Sequence, residues 1–231
     1  MNISERTENY LRQIREEKKD SFDAFYTILL EYNKKYNLTS ITEARDVLYK
    51  HFLDSAMGES LFPLSARVLE VGSGAGFPSL VLKLLRPDLR FTLTDSVGKK
   101  CDFLQAACSA LSLSEMQVIH ARVEDLARTK EHREKYDAVC ARAVAPMNTL
   151  AEYCLPFVRV GGKFIAYKSG DEEEINAGKH AISLLGGKIV GLHAFELPEG
   201  YGKRILAEIE KVRPTPPQYP RGNGKERKNP L

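Results

Sequence analysis

The stretch RVLEVGSGAGFPSL, residues 67–80, limits the folds open to this chain more than any other. Val68, Leu69 and Val71 form a short apolar run with one acid, Glu70, and glycines follow at 72, 74 and 76 before an apolar helical segment. Glycine accepts left-handed backbone and lets another group come close to the main chain. Pro78 suits an early helical position, where its missing N–H costs little. A strand that turns through glycines into a helix opens a doubly wound parallel sheet, and a nucleotide-type ligand lies across such a turn.

The segments that follow repeat the unit. Strands are expected at 67–71, 90–95, 117–121, 136–141 and 163–167, with helices at 77–86, 98–112, around 124–128 and 147–159. Alternating β and α segments give a parallel sheet covered on both faces. Two later strands, 188–195 and 203–212, are joined only by ELPEGYG. So short a link makes them an antiparallel hairpin, because a parallel crossover needs about a dozen residues or more. Ahead of the sheet, residues 1–60 read as helical. Phe22, Phe25, Ile28, Leu29 and Tyr32 recur at three and four residues, and Val47, Leu48, Phe52 and Ala56 repeat the pattern. The expected organisation is an N-terminal helical cap over 1–60, an α/β core over 61–213 and a C-terminal tail over 214–231.

With 231 residues the chain can bury one sizeable core plus an appendage. No apolar run approaches the roughly 18 residues that span a bilayer, and the charged start MNISERTENYLRQIREEKKD lacks a secretory apolar region. The four cysteines, Cys101, Cys108, Cys140 and Cys154, show neither a CxxC pair nor metal spacing. They read as reduced thiols of a cytoplasmic protein, mostly core packing, and no metal is expected. The net charge of +3 hides an asymmetry, because residues 211–231 hold six lysines and arginines against one acid, Glu226. Prolines 214, 216, 217, 220 and 230 exclude helix or central strand there, so the tail is expected on the surface or waiting for a partner. A cationic tail beside a near-neutral body suits an acidic polymer such as RNA, and equally suits a tail that only solubilises.

A dinucleotide turn would place a small residue at position 77, and Phe77 is bulky. Gly74 and its neighbours, Ser73 among them, let backbone approach a ligand that has no phosphate to anchor. Asp95 ends the second strand, where an acid can accept hydrogen bonds from both ribose hydroxyls. Glu70 stands where a carboxylate can face the positive end of a cofactor. An acid, a GxGxG turn, a second acid and a closing hairpin together resemble the S-adenosylmethionine-dependent methyltransferases. In that fold the loop after the third strand reads adenine, which nominates Val123 and Glu124 in ARVED; helix capping is the plain alternative.

After the fourth strand the chain reads Ala141-Arg142-Ala143-Val144-Ala145-Pro146, without the Asn/Asp-Pro-Pro-aromatic segment of amine-methylating enzymes. Cys140 sits inside an apolar strand and lacks the context of a nucleophile. The stretches NKKYNLTSI (33–41), KHFLDSA (50–56), LEVGSGAGFPSL (69–80), DSVGKKCDFL (95–104), ARVEDL (121–126), ARAVAP (141–146), YKSG (167–170) and PPQYPRGNGKERKNPL (216–231) follow one another in this order. Together they closely resemble the RsmG (GidB) family, although the tail GNGKERKNP is more charged than usual. The resemblance implies a class I methyltransferase core under a helical cap and S-adenosylmethionine contacts at Gly72, Phe77, Val123, Glu124 and Arg142. It also implies methyl transfer to N7 of a guanine in the 530-loop region of bacterial 16S rRNA, on the RNA, the 30S subunit or an assembly intermediate. Guanine N7 keeps an in-plane lone pair, so no acid or base residue is expected. Arg142 and Lys168 would position and stabilise charge, while Lys99, Lys100, Arg122, Lys168, Arg204 and Arg221 are candidates to grip RNA. His51 and Asp54, three residues apart on one helical face, read as holding a helix to the core. Nothing demands more than a monomer. An NAD-dependent oxidoreductase, from the same loop and Asp95, and a non-catalytic RNA-binding factor, from the basic tail, are the competing readings.

Overall fold

A computed structural model describes residues 3–231. Its centre is one seven-stranded sheet: β1 (Arg67–Val71), β2 (Arg90–Asp95), β3 (Met116–His120), β4 (Tyr136–Arg142), β5 (Val158–Ser169), β6 (Gly187–Leu197) and β7 (Gly202–Lys211). The spatial order is β3-β2-β1-β4-β5-β7-β6. The first five strands pair in parallel, and β7 runs antiparallel to β5 and β6. The chain reverses between β1 and β4, so the loops after these two strands diverge and open a crevice at their carboxyl ends. This is the expected doubly wound α/β fold with a terminal hairpin.

Helices α1 (Ile3–Arg12) and α2 (Lys19–Tyr36) precede α3 (Ala44–Val47) and α4 (Asp54–Ala56), the last two joined by a π-helical turn. In α2, Phe22, Phe25 and Leu29 recur on one face and are buried, and Asn37 ends the helix in left-handed backbone, as a short polar residue can. The two residues of the expected cap outside the described range are Met1 and Asn2. Helices α5 (Ser79–Leu85) and α6 (Gly98–Ala110) join the N-terminal helices on one face of the sheet. The other face is covered by α7 (Val123–Leu126), α8 (Met147–Cys154), α9 (Glu172–Ala177) and α10 (Lys179–Leu184). The hairpin between β6 and β7 turns back onto the N-terminal helices, where Tyr201 stacks on Tyr49 at 5.2 Å and donates to Asp46 at 2.8 Å.

Three expectations need correction. Strand β5 starts five residues before 163, because Val158 pairs with Tyr136 ahead of a bulge. Residues 172–177 and 179–184, left unassigned by periodicity, are α9 and α10. The tail is not excluded from helix throughout: its prolines lie at 214–220 and 230, and the proline-free interval forms α11 (Lys225–Lys228) after Gly224. Nor does the tail wait for a partner to become ordered. Arg133 donates to the carbonyls of Thr215 (3.0 Å) and Tyr219 (2.8 Å), and Arg221 is ion-paired with Glu152 at 2.7 Å.

Candidate functional site

The crevice contains a cavity of about 390 Å³ at the carboxyl ends of β1 to β4, within the range of about 300–1,000 Å³ usual for small-molecule sites. Gly72 forms its floor at the end of β1, with φ of +67°; a Cβ there would meet Val144 Cγ2 at 2.8 Å, so this residue has to be glycine. Gly76 likewise takes left-handed backbone, with φ of +81°, and its Cβ would stand 2.4 Å from the Leu80 side chain.

Asp95 ties the turn to β2. Its Oδ2 accepts from the Gly74 amide at 3.0 Å, its Oδ1 from the Val97 amide at 3.0 Å, and Lys100 Nζ stands 3.6 Å away. Each oxygen keeps a lone pair that can accept from a ribose hydroxyl. Ser73 completes the seam: its amide donates to the Thr94 carbonyl at 2.9 Å and its hydroxyl accepts from the Thr94 amide at 3.1 Å. Across the cavity, Val123 and Glu124 begin α7, and Arg122 binds Glu124 Oε1 through both Nε, at 2.8 Å, and Nη2. The second Glu124 oxygen can then accept from a ligand amine. Ala143 and Val144 close the β4 side, and Ala143 takes φ of +55°, a conformation that costs a residue with a Cβ about 1–2 kcal/mol.

Of the nominated cofactor residues, Gly72, Asp95, Val123 and Glu124 line this cavity, and Ser73 and Gly74 bind the turn that shapes it. Glu70, Phe77 and Arg142 are placed elsewhere. Glu70 is fully buried and neither carboxylate oxygen has a hydrogen-bond partner, so burial pushes it up to about 7, against the pull of the Ser79 hydroxyl and the Arg142 charge. Phe77 faces the N-terminal helices, stacked on His51 at 4.4 Å and near Phe25 at 5.2 Å. Arg142 lies over the Phe77 ring, donating to Asp54 (2.8 Å), the Lys50 carbonyl (2.9 Å) and His51 Nδ1 (3.0 Å). His51 therefore carries its proton on Nε2 and donates it to Thr39 Oγ1 at 3.0 Å. Burial and the Arg142 charge hold His51 down at about 3. Burial raises the Cys140 thiol well above its usual range, as a packing residue requires.

The nominated RNA residues have varied surroundings. Lys99 is exposed in the first turn of α6, Lys100 faces Asp95 and Arg122 faces Glu124. Lys168 is ion-paired with Glu174 at 2.9 Å and donates to the Ala145 carbonyl at 3.0 Å. Arg204 approaches Asp54 at 3.4 Å, and Arg221 is paired with Glu152. Residues that sequence reasoning missed also line the cavity: Tyr153 of α8, and Gly224 and Arg227 of the tail. Tyr153 lies in a helix that reads as ordinary packing, and prolines on both sides of 221–229 mask α11 in the sequence.

Asp95 beneath one side, Glu124 at the other and an apolar wall at Val144 fit an adenosine-bearing ligand. Similarity to known proteins gives the family and the fold. The family model for GidB, described as rRNA small subunit methyltransferase G, matches residues 18–200. Ribosomal RNA small subunit methyltransferase G of Staphylococcus aureus strain Newman is 44% identical over 234 residues, covering 99% of this chain and 97% of that protein. The same-named protein of strain JH9 is 43% identical over the same span and shares. Among solved structures, M. jannaschii TYW2 in complex with AdoMet aligns with a TM-score of 0.58 at 13% identity, over 75% of this chain and 80% of that one. The precorrin-6y C5,15-methyltransferase of Geobacter metallireducens aligns with a TM-score of 0.53 at 10% identity, over 68% and 87%.

Proposed function

The chain belongs to the GidB family, rRNA small subunit methyltransferase G, and from that premise we propose that its S-adenosylmethionine-dependent rRNA methylation is directed to N7 of a guanine in the 530-loop region of 16S rRNA. The oxidoreductase and non-catalytic alternatives fall with the membership. The observation that carries the choice of N7 is that Asp54 and His51, the two proton-accepting side chains that Arg142 binds, are already engaged, while Glu70 is fully buried and does not line the cavity. Asp54 is held between Arg142 and Arg204, and His51 uses Nδ1 to accept from Arg142. An exocyclic amine must lose a proton on methylation, whereas guanine N7 offers a lone pair and needs no base.

When bound, S-adenosylmethionine supplies an electrophilic methyl group. Gly72, Asp95, Val123 and Glu124 would hold it, with Ser73 and Gly74 fixing the turn and Glu70 setting the field beneath. Arg142 and Phe77 act one step back, locking the N-terminal helices against the end of β4 so that the acceptor side is built before substrate arrives. Lys168 likewise fixes the Ala145 carbonyl after β4. Rate enhancement then comes from placement of acceptor against donor and from fixed charges around the moving positive charge.

The substrate reading extends to the surface. Lys99 and Lys100 stand in the first turn of α6, where the helix dipole disfavours cations, and an RNA phosphate would offset that cost. Arg122 and Arg204 complete the RNA-facing set, Arg221 being taken up by Glu152, with the 30S subunit or an assembly intermediate as the partner, in the cytoplasm and as a monomer. No helix among the described residues is long and apolar enough to cross a membrane. We divide the chain into a cap (1–60), core (61–213) and tail (214–231). Small subunits from cells lacking the gene, incubated with the protein and S-adenosylmethionine, should gain one N7-methylguanosine, detected as a borohydride- and aniline-labile site and mapped by mass spectrometry. A methyl group on an exocyclic amine or a ribose would refute the assignment.

A further inference from the structure

Apart from Gly224 and Arg227, every residue lining the donor cavity lies between 71 and 153. Those two come from the far end of the chain and reach the cavity because the tail is bound down at specific points. Arg221 grips Glu152 through Nε, at 3.0 and 3.1 Å, and Nη2, at 2.7 Å, while its own amide donates to the same carboxylate at 2.7 Å. Thr149 donates to the Glu226 carbonyl at 2.8 Å, and the Gly222 amide donates to the Glu226 carboxylate. Glu152 and Glu226 are both fully buried. Two acids have thus been taken out of water to hold a short loop and a single helical turn against α8. Such desolvation is costly, and solubilising a tail does not call for it.

This anchoring brings Arg227 to the cavity that Tyr153 and Glu124 also line. The other two cations lining the cavity, Lys100 and Arg122, are each matched with a lining acid. Arg227 has no ion pair among the described residues. A planar guanidinium both donates in its plane and stacks on aromatic faces, which suits a purine ring next to a carboxylate that accepts from the purine's amine.

We propose that the C-terminal segment 221–228 is a wall of the methyl-donor site and that Arg227 is a cofactor-binding residue contacting the adenosine half. This rests on the cavity being the donor site and is independent of which acceptor atom is methylated. It also gives the basic tail a duty on the cofactor, where its composition pointed to RNA or to solubility.

Calorimetric binding of S-adenosylhomocysteine and of methylthioadenosine, without RNA, tests it on the full-length protein with Arg227→Met, Arg227→Lys and Asp95→Asn. Arg227→Met should weaken both ligands by about tenfold or more, the scale of a hydrogen bond from a charged group, with an unchanged thermal midpoint of the free protein. Arg227→Lys, which keeps the charge without the planar fork, should recover only part of the affinity. Loss confined to S-adenosylhomocysteine would place the contact on the amino-acid half and overturn the assignment. Affinity lowered by Asp95→Asn but untouched by Arg227→Met would overturn the inference and leave the donor site standing. Affinity untouched by both variants would remove the donor-site reading, and this inference with it.

Discussion

Arg142 lies between two buried groups whose protonation runs in opposite directions with pH. His51 is held down from its ordinary 6.5 to about 3, so the folded protein binds fewer protons there than the unfolded chain. On that account stability rises with pH from about 3 to 6.5, and acid removes it. Glu70 is raised from 4.5 to about 7, so the folded state binds more protons, and stability falls as pH rises between those values. Across pH 4.5–6.5 the two slopes oppose, and the wild type should be nearly flat. Glu70→Gln should expose the His51 slope, losing about 2 kcal/mol between pH 6.5 and 5, and His51→Asn should expose the Glu70 slope, gaining about as much. Urea midpoints between pH 5 and 8 measure this; two variants running parallel to wild type would refute it. Gly72 allows a simpler test: Gly72→Ala forces a Cβ against Val144 in left-handed backbone. It should cost about 1–2 kcal/mol of stability together with most of the S-adenosylhomocysteine affinity, read by thermal melts and calorimetry. Gly72 and Asp95 were legible in the sequence because turn geometry and strand ends dictate residue type. That Phe77 and Arg142 face the cap was not legible, because their partners, His51 and Asp54, are remote in sequence.

Among the elements, the tail and α8 depend on each other. Arg221→Met leaves the fully buried Glu152 without its countercharge and should destabilise the protein by about 3–5 kcal/mol. Adding Glu152→Leu to that variant removes the orphaned charge and should restore at least half of the loss in urea melts. Limited proteolysis should find the tail cleavable in the single variant. Loss of stability equal in both proteins would mean that the pair is not what holds the tail. The sequence carried a signal for this latch: Glu152 is an acid between Leu150-Ala151 and Tyr153-Cys154-Leu155, and such a position requires a partner. Helices α9 and α10 were legible in principle, since Asp171 caps α9 by accepting from Glu173 (3.0 Å) and Glu174 (3.4 Å), followed by Ile175. Gly178 and a run of four acids broke the apolar period there. The inner parallel strands were readable because both sheet faces are covered there and the strands are correspondingly apolar, whereas β3, at the sheet edge, is only partly buried.

At the scale of the whole molecule, the net charge of +3 is too small to bind RNA by itself, so the arrangement of cations decides. Of the six basic residues between 211 and 231, Lys211 is fully buried against the Leu155 and Val158 carbonyls and Arg221 is committed to Glu152. Lys225 and Lys228 are exposed beside Gly224 and Arg227, which line the cavity, and Lys99 is exposed next to Lys100, which lines it too. The solvated cations thus stand beside residues that line the cavity. Each phosphate contact adds about 0.7–0.9 to the slope of log affinity against log salt. Lys99→Gln, Lys225→Gln and Lys228→Gln combined should therefore flatten that slope by about 2, with S-adenosylhomocysteine affinity unchanged. Filter binding of a 16S rRNA fragment across a salt series measures the slope. The result to compare is Arg221→Met: its charge is already satisfied by Glu152, so it should weaken binding, if at all, without changing the slope. A flattened slope in Arg221→Met and an unaltered one in the triple variant would mean that Arg221 leaves Glu152 to contact an RNA phosphate and that the exposed lysines do not.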